Sequence, residues 1–399
     1  MCSTLQATFE LTTPMFIGDA EQHATGIRPS AIKGALRFWW RAINWPRVVA
    51  ATHSEALALQ TLHQQEAKLF GAAANLVNRK ETGGQGIFLL QVAEHNIQQN
   101  NSPFNKTDGG LLYLLGMGLA TFKNGGQTLR NALSSGEFTL SLRFKKQDVS
   151  PEDRQSIADA VWAFGLLGAL GSRARHGLGS LTLTDWQFDE RQPPKTREEY
   201  RQALQQLLGK PGNDSLPPLT AFSQHMRFDL SASAKQPEAL LHKVGEEQMR
   251  YRSFGQKGKV LHQPAERNFG PKNPQHNDHD LVMKAIADTP PHKAPGRTVF
   301  GLPHNYFFSS SKEKADINYW AGEKEARRAS PLLLHVHHLG QEYVAVHGLL
   351  PARFLPDGAH ITIKAKRRYQ VRFSADSADW QILHKYLDRF AEREHIDVR

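Results

Sequence analysis

Three basic residues near the start of the chain, Lys33, Arg37 and Arg41, recur at intervals of four. On an α-helix they form one stripe, along which like charges repel by roughly 0.2–0.5 kcal/mol per pair. A helix tolerates this repulsion between like charges most readily when an anion lies across the stripe. Trp40 falls at the edge of the stripe, and cations beside an exposed ring can bind single-stranded nucleic acid through its phosphates and a base. The alternative is a solvated basic face with Trp39 and Trp40 in the core.

A second polar cluster lies in the glycine-rich segment GSRARHGLGS at residues 171–180. Its glycines permit positive φ and close approach to the backbone, so that successive N–H groups could cradle a phosphate. Arg173, Arg175 and His176 add side-chain donors around the same point. The segment lacks the Gly-Lys-Ser/Thr ending of a nucleotide-binding Walker loop, and it precedes a strand, unlike the dinucleotide fingerprint. A glycine turn with solvated arginines is the alternative interpretation.

The elements around these two segments alternate between strand and helix. Ser150-Pro151-Glu152-Asp153 has the N-cap, proline and acidic first turn of a helix start, whereas Trp45-Pro46 should end the helix that begins at Pro29. The order β-α-β, β-α-β predicts a ferredoxin-like domain over 1–190, with helices on one face of an antiparallel sheet. The predicted elements are strands at 4–11, 86–92, 137–144 and 181–188 and helices at 29–44, 53–70 and 151–170.

The sequence pattern over 221–399 predicts a second α+β domain, with more inserted segments than the first. Residues 191–220 are rich in proline and glycine and are expected to form a linker with a short helix at 197–208. Residues 252–300 show little periodicity and are expected to form a long loop that is partly mobile without a partner. The other predicted elements are strands at 222–230, 331–337, 342–349, 360–364 and 369–373 and helices at 237–251 and 378–394.

The composition of the chain indicates its kind of partner and excludes some classes of protein. Lys and Arg number 49 against 39 Asp and Glu, and the surplus of +10 lies almost entirely after residue 190, which favours a polyanionic partner, nucleic acid first. The single cysteine, Cys2, excludes a disulfide framework. We expect no transmembrane helix, no secretory signal and a cytoplasmic location. Histidine clusters at 276–280 and 335–338 could be metal ligands, but we predict that no metal is required.

Several motifs recur in an order that a known family shares. They are TTPMFIGDA at 12–20, IRPSAIKGALRFWWRA at 27–42, LFG at 69–71, LLGALGSRARHGLGSL at 166–181, GLP at 301–303 and RRASPL at 327–332. Together they resemble the RAMP superfamily of CRISPR effector proteins, and most closely subunit one of type III-B (Cmr) complexes. These motifs span most of the chain.

This resemblance implies an α+β fold of two tandem ferredoxin-like, RRM-related domains with antiparallel sheets and long inserted loops. It also implies a non-catalytic RNA-binding subunit of an antiviral RNA-guided complex, which contacts guide RNA and target RNA, docks on other subunits and needs no cofactor. Arg327 and Arg328 could instead pack or pair with Glu323 or Glu325. The RNA-binding residues implied by the match are Arg28, Lys33, Arg37, Trp40, Arg41, Ser172, Arg173, Arg175, His176, Arg327 and Arg328.

A metal-independent endoribonuclease is the alternative function, because some RAMP proteins cleave guide precursors. Such chemistry needs a base near the 2′-hydroxyl and an acid near the leaving oxygen, and histidine often supplies them. His23, before the basic helix, and His176, in the glycine-rich segment, are the candidates. The spacing of the residues does not distinguish guide RNA from target RNA as the main ligand.

Overall fold

The first half of the chain forms a layer of helices on a four-stranded sheet. The computed structural model describes residues 4–73, 84–104, 109–121, 126–145, 149–212, 215–266, 276–374 and 377–398. Its first nine main elements are β1 (Thr4–Leu11), α1 (Pro29–Thr52), α2 (Glu55–Phe70), β2 (Phe88–Asn100), α3 (Gly109–Leu115), β3 (Ala132–Phe144), α4 (Pro151–Leu167), β4 (Leu181–Gln187) and α5 (Arg197–Leu208).

The strands of this sheet lie in the order β2-β3-β1-β4, and every neighbouring pair is antiparallel. Alternate residues of β1 are buried, with Phe9 stacked on Phe138 of β3 at a centroid distance of 5.1 Å. The opposite face carries small polar side chains such as Thr8 and Thr139, whose hydroxyls lie 3.0 Å apart. This order and period-two burial are those of a ferredoxin-like module, which confirms the predicted fold class.

The predicted end of α1 at Pro46 is wrong, because the helix continues to Thr52. A proline inside a helix leaves the carbonyl four residues earlier without its N–H partner. Here that carbonyl belongs to Ala42, and it accepts a hydrogen bond from the backbone N–H of Phe222 at 2.9 Å. A segment more than 170 positions away therefore satisfies the group that Pro46 leaves free, and the helix is not interrupted.

The second half repeats the same topology. Its main elements are β5 (Arg227–Ala234), α6 (Pro237–Arg252), α7 (His276–Ile286), β6 (His304–Phe307), β7 (Lys314–Ala321), β8 (Lys324–Ala326), β9 (Leu332–Leu339), β10 (Glu342–Leu349), β11 (His360–Lys364), β12 (Arg368–Arg372), α8 (Gln381–Leu387) and β13 (Glu394–His395). One sheet has the order β9-β10-β5-β13, again wholly antiparallel. Both predicted modules are therefore present in the fold, while the boundaries 1–190 and 221–399 stay a prediction.

Two insertions into the second module build a further antiparallel sheet in the order β6-β7-β11-β12, with β8 paired to β7. The prediction of a long loop over 252–300 is wrong for α7 and for a 3₁₀ turn at Gly296–Phe300. Val282 and Ala285 of α7 are fully buried, so the helix is stabilised by packing rather than by a long periodic pattern. Residues 267–275 of the predicted loop lie outside the described residues.

The segment expected to be a linker packs against both halves. Its predicted helix is present as α5, where Thr196 and Glu199 form a reciprocal capping box. The Tyr200 hydroxyl donates to the Leu166 carbonyl at 2.6 Å, and its ring stacks on His337 of β9 at a centroid distance of 4.1 Å. Residues 197–208 therefore hold the two modules against each other.

Buried histidines should make the protein sensitive to acid. Burial lowers the pKa of His335 to about 3 and that of His347 to about 4. Unfolded histidine titrates near pH 6.5, so below that pH the unfolded chain binds protons that the folded chain does not. The free energy of unfolding should therefore fall by about 1.4 kcal/mol for each pH unit and each histidine as the pH drops from 6 to 4.

Urea unfolding at a series of pH values measures this loss. His335→Gln and His347→Gln should each show a smaller fall between pH 6 and pH 4 than the wild type. His23→Gln is the matched control, because His23 is exposed. Equal pH dependence in all four proteins would contradict the assignment of the acid sensitivity to these buried rings.

Candidate nucleic-acid interface

The glycine-rich segment 171–180 is held closely against the chain that follows β1. Gly179 has a φ of +64°, and a Cβ there would lie 2.0 Å from the Leu170 carbonyl oxygen. The Thr13 hydroxyl donates to the Gly177 carbonyl at 2.7 Å and accepts from the N–H of Ser180 at 2.9 Å. The glycines are thus required by close backbone packing, which only a residue without a side chain permits.

The backbone N–H groups of this segment are largely occupied by protein acceptors. Ser172 donates to the Phe16 carbonyl at 2.9 Å, His176 to that of Arg173 at 2.8 Å, and Gly179 to that of Pro14 at 2.9 Å. The expectation that successive N–H groups cradle a phosphate is therefore wrong for these residues. The groups of this segment that can bind an anion are therefore its side chains.

Arg173 extends from the segment into a cavity of about 750 Å³ between the two halves of the chain. Its Nη2 lies close to Gly116, where a Cβ would be only 2.5 Å away. Burial, followed by the nearby charge of Arg252, lowers the pKa of Arg173. The cavity is also lined by Arg252, Arg297 and Arg327, so four guanidinium groups share one concave surface.

Two of these arginines are fixed at the inner end of the cavity. The Arg297 Nη2 donates to the backbone carbonyl of Arg252 at 2.7 Å, and Arg252 lies over the Phe300 ring at 4.5 Å. Among the described carboxylates, only Asp278 pairs with any of the four arginines, at 3.7 Å from the Arg297 Nε. The cavity therefore has an excess of positive charge, which favours an anionic ligand.

Two histidines of the cavity, His176 and His304, are neutral at physiological pH. Burial, with the charges of Arg173, Arg252 and Arg175, lowers the pKa of His176 to about 3. His304 is held well below its ordinary pKa by burial and by Arg252 and Arg297. These rings can donate or accept a hydrogen bond, but they add no charge to the four arginines.

Arg175 holds the segment to the second module, and Arg328 packs within that module; neither lines the cavity. Arg175 Nη1 donates to the Ser330 carbonyl, and its guanidinium lies 5.4 Å from the ring centre of Phe38 on α1. Burial and the charge of Arg328 lower the pKa of Arg175 to about 10. Arg328 packs over Phe354 at 5.7 Å and donates to the Arg353 carbonyl at 3.3 Å.

The basic stripe on α1 has a protein counter-charge. Glu66 of α2 is only 8% exposed, and its Oε1 lies 2.8 Å from the Arg37 Nε and 2.7 Å from the Arg41 Nη1. Burial and the neighbouring Arg37 lower the pKa of Lys33. Arg28 is exposed and donates to the Gly18 carbonyl. Glu66 accounts for the spacing of the arginines, so the stripe no longer requires an anionic ligand.

The expectation that Trp40 presents an exposed ring is wrong. Trp40 is 1% exposed, it packs edge-on against Phe70 at 6.2 Å, and its Nε1 donates to the Ser156 hydroxyl at 2.7 Å. Trp39 is buried as well. Both tryptophans therefore belong to the core, because they lie on the side of α1 that faces the sheet and α4.

The helix and the glycine-rich segment do meet, but not as one trough. They touch at Phe38 and Arg175. On an α-helix Lys33 and Arg37 lie about 140° and 100° around the axis from Phe38. Arg41 lies about 60° away and pairs with Glu66 of α2. The structure therefore separates the predicted site into a stripe paired with Glu66 and a cavity that contains Arg173 and Arg327.

Sequence reasoning missed Arg252 and Arg297, which stand at the end of α6 and in the 3₁₀ turn. The available signal was the concentration of aromatic and basic residues on either side of the GLP motif. No described helix is long and apolar enough to cross a membrane. Within the described ranges, no three His, Cys, Asp or Glu side chains converge as metal ligands would.

Comparison with known proteins gives a family match over part of the chain and a similar fold. Residues 8–182 match the family model described as the RAMP superfamily. The crystal structure of Cmr1 from Pyrococcus furiosus in its apo form is 17% identical, covers 98% of each chain and has a TM-score of 0.50. A cryo-EM structure of the type III-B Cmr-beta bound to cognate target RNA contains a chain that is 12% identical, with coverage of 96% and 98% and a TM-score of 0.45. No curated protein matches the chain.

These findings agree with the two ferredoxin-like sheets and the glycine-rich segment described above. The family match begins in β1 and ends in β4, while the similarity to Cmr1 extends over both modules. Residues 8–182 thus match the RAMP superfamily model, and the fold is similar to that of Cmr1 over nearly the whole chain.

Proposed function

We propose that the protein is a non-catalytic, cytoplasmic RNA-binding subunit of a type III-B (Cmr) CRISPR complex that contacts guide RNA and target RNA beside other subunits. The observation that carries this proposal is the cavity with four arginines and, among the described residues, a single carboxylate in contact with them. The match of residues 8–182 to the RAMP superfamily model and the similarity of the fold to Cmr1 support it.

Within this proposal the guanidinium groups of the cavity hold phosphates of the RNA backbone. Arg327 is exposed and Arg173 is half-buried, so both are within reach of a ligand at the mouth, while Arg252 and Arg297 lie deeper. Phosphate contacts position a nucleic acid without specifying its sequence. Pairing between guide and target then supplies the sequence specificity.

The other predicted residues take different parts in this proposal. Arg175 fixes the glycine-rich segment to the second module by donating to the Ser330 carbonyl, whereas Arg328 donates to the Arg353 carbonyl within that module. Ser172 precedes Arg173 and anchors the turn through its N–H. Arg28 and Lys33 remain candidates for a secondary phosphate contact outside the cavity.

The endoribonuclease alternative has less support. A protonated acid is needed at the leaving oxygen, and two histidines that line the cavity, His176 and His304, are held neutral by burial and by the surrounding arginines. We therefore expect labelled guide precursor to remain intact with the wild-type protein. Specific cuts that disappear in His23→Ala or His176→Ala would contradict the non-catalytic assignment.

Fluorescence anisotropy with two unrelated single-stranded RNAs tests the binding function. We expect similar affinities for both sequences, and we expect the logarithm of the association constant to fall with the logarithm of salt concentration by about 0.7 for each phosphate contact. Inorganic phosphate and a neutral peptide serve as competitors of known charge. Absence of binding at low salt, or strong preference for one of the two sequences, would contradict the proposal.

A further inference from the structure

The mouth of the arginine cavity carries an exposed aromatic ring that the phosphate contacts do not use. Phe307, the last residue of β6, is 59% exposed, and it lines the cavity together with Arg173 and Arg327. A single exposed apolar residue is ordinary on a protein surface. An exposed ring beside a concentration of cations is the arrangement that binds an unpaired base.

The strand alternation separates Phe307 from its aromatic neighbours. Tyr306 and Phe308 are buried and stacked on each other at 6.2 Å with an interplanar angle of 17°, and Arg297 lies 4.6 Å from the Tyr306 ring centre. Since successive side chains of a strand point to opposite faces, Phe307 points away from this packed pair. None of the described aromatic rings packs on Phe307, and the residue is 59% exposed, so its ring is accessible to a base.

A cation lies next to the ring on the same strand pair. Phe307 is directly opposite Lys314 of β7 in the antiparallel register, and Lys314 is exposed. Directly opposed residues have side chains on the same face of the sheet, within contact distance. The ring therefore has a positive charge on its own face and the arginine cavity beside it.

A second exposed apolar residue stands at the mouth. Met117 is 70% exposed, and its carbonyl accepts a long hydrogen bond of 3.5 Å from the Arg173 Nη2. Met117 comes from the first half of the chain and Phe307 from the second. The mouth thus combines apolar surface from both halves with guanidinium groups, which suits a ligand that has a flat apolar face and an anionic backbone.

We infer that Phe307 is a stacking platform for one unpaired base of an RNA whose phosphates lie on the cavity arginines. The inference rests on the proposed RNA-binding function. In a duplex both faces of each base are already stacked, whereas a single strand can turn a base outward onto an aromatic side chain. The site therefore selects single-stranded RNA over duplex RNA with little preference for the identity of the base.

Anisotropy with Phe307→Ala and Phe307→Trp tests this inference. We expect Phe307→Ala to bind single-stranded RNA about 5- to 150-fold more weakly, with an unchanged salt slope because no charge is lost. Phe307→Trp should bind like the wild type. Leu129→Ala is the matched control, because Leu129 is also 59% exposed but lies outside this cavity. An abasic ribose-phosphate oligomer should bind equally to the wild type and to Phe307→Ala.

The possible results distinguish a failure of the Phe307 inference from a failure of the proposed RNA-binding function on which it rests. If the wild type binds no RNA, the proposed function fails. If the wild type binds RNA and loss of cavity arginines weakens binding, but Phe307→Ala binds as tightly as the wild type, the inference alone is overturned. A penalty for Phe307→Ala that persists on the abasic oligomer would also overturn it, because the ring would then act through something other than a base.

Discussion

Replacing Arg173 and Arg327 together by alanine should weaken the binding of single-stranded RNA by about 10²- to 10⁴-fold. A hydrogen bond to a charged group contributes about 1.5–3 kcal/mol, and two such contacts are removed. The same double variant should flatten the salt slope of binding by about 1.4, since each phosphate contact to a single strand contributes about 0.7. Thermal stability should change little, because Arg327 is exposed and the hydrogen bond from Arg173 to the Met117 carbonyl is long, at 3.5 Å. Anisotropy over a series of salt concentrations measures both quantities.

The matched control removes two positive charges elsewhere. Arg47→Ala with Arg372→Ala changes the net charge equally, and both side chains are exposed and lie outside the cavity. We expect this control to weaken binding by less than tenfold through the general field of the protein. If both double variants lost the same affinity, net charge rather than the cavity would account for binding. An unchanged salt slope in Arg173→Ala with Arg327→Ala would contradict a phosphate role for these residues.

Trp40→Ala should destabilise the fold by about 3–5 kcal/mol, which is the usual cost of truncating a large buried aromatic side chain. The variant also leaves the Ser156 hydroxyl without its donor from the indole Nε1. Chemical denaturation measures the change in the free energy of unfolding. At a temperature where the variant is still folded, its affinity for RNA should equal that of the wild type.

A half-buried tryptophan provides the comparison for this large effect. Trp320→Ala, on β7, should cost less stability because the ring is partly exposed in the native state. If Trp40→Ala instead kept full stability and lost RNA affinity, then Trp40 would have to be reachable by a base, contrary to its burial. That result would restore the sequence-based hypothesis of a stacking tryptophan on α1.

The topology of the fold could be predicted because it depends on local signals. Ser150 and Pro151 mark the start of α4 through capping chemistry, and the alternation in 137–144 marks an inner strand through its period of two. Once the order of strands and helices is known, few arrangements of a four-stranded sheet remain. The glycine-rich segment was equally visible, because its composition is unusual.

The site could be predicted only in part, because its charges come from distant parts of the chain. The spacing of Arg37 and Arg41 indicated an anion across the helix, but no local pattern could show that Glu66 supplies it. Likewise, the Ala42 carbonyl, which Pro46 leaves without a helical donor, accepts a hydrogen bond from the N–H of Phe222. A rule based on the local sequence around a proline cannot predict this distant contact. The cavity joins residues from both modules, so its membership depends on tertiary packing that sequence spacing does not encode.

Photo-crosslinking tests most directly whether RNA lies in the arginine cavity. Single-stranded RNA with photoreactive uridines would be irradiated with the full-length protein, alone and in the assembled complex, and crosslinked peptides would be located by mass spectrometry. We predict crosslinks at Phe307 and in the peptides that carry Met117 and Arg173, and we predict that they are lost in the Arg173→Ala with Arg327→Ala variant. Crosslinks confined to the face of α1 around Lys33 and Arg41, with none in the cavity, would contradict this prediction.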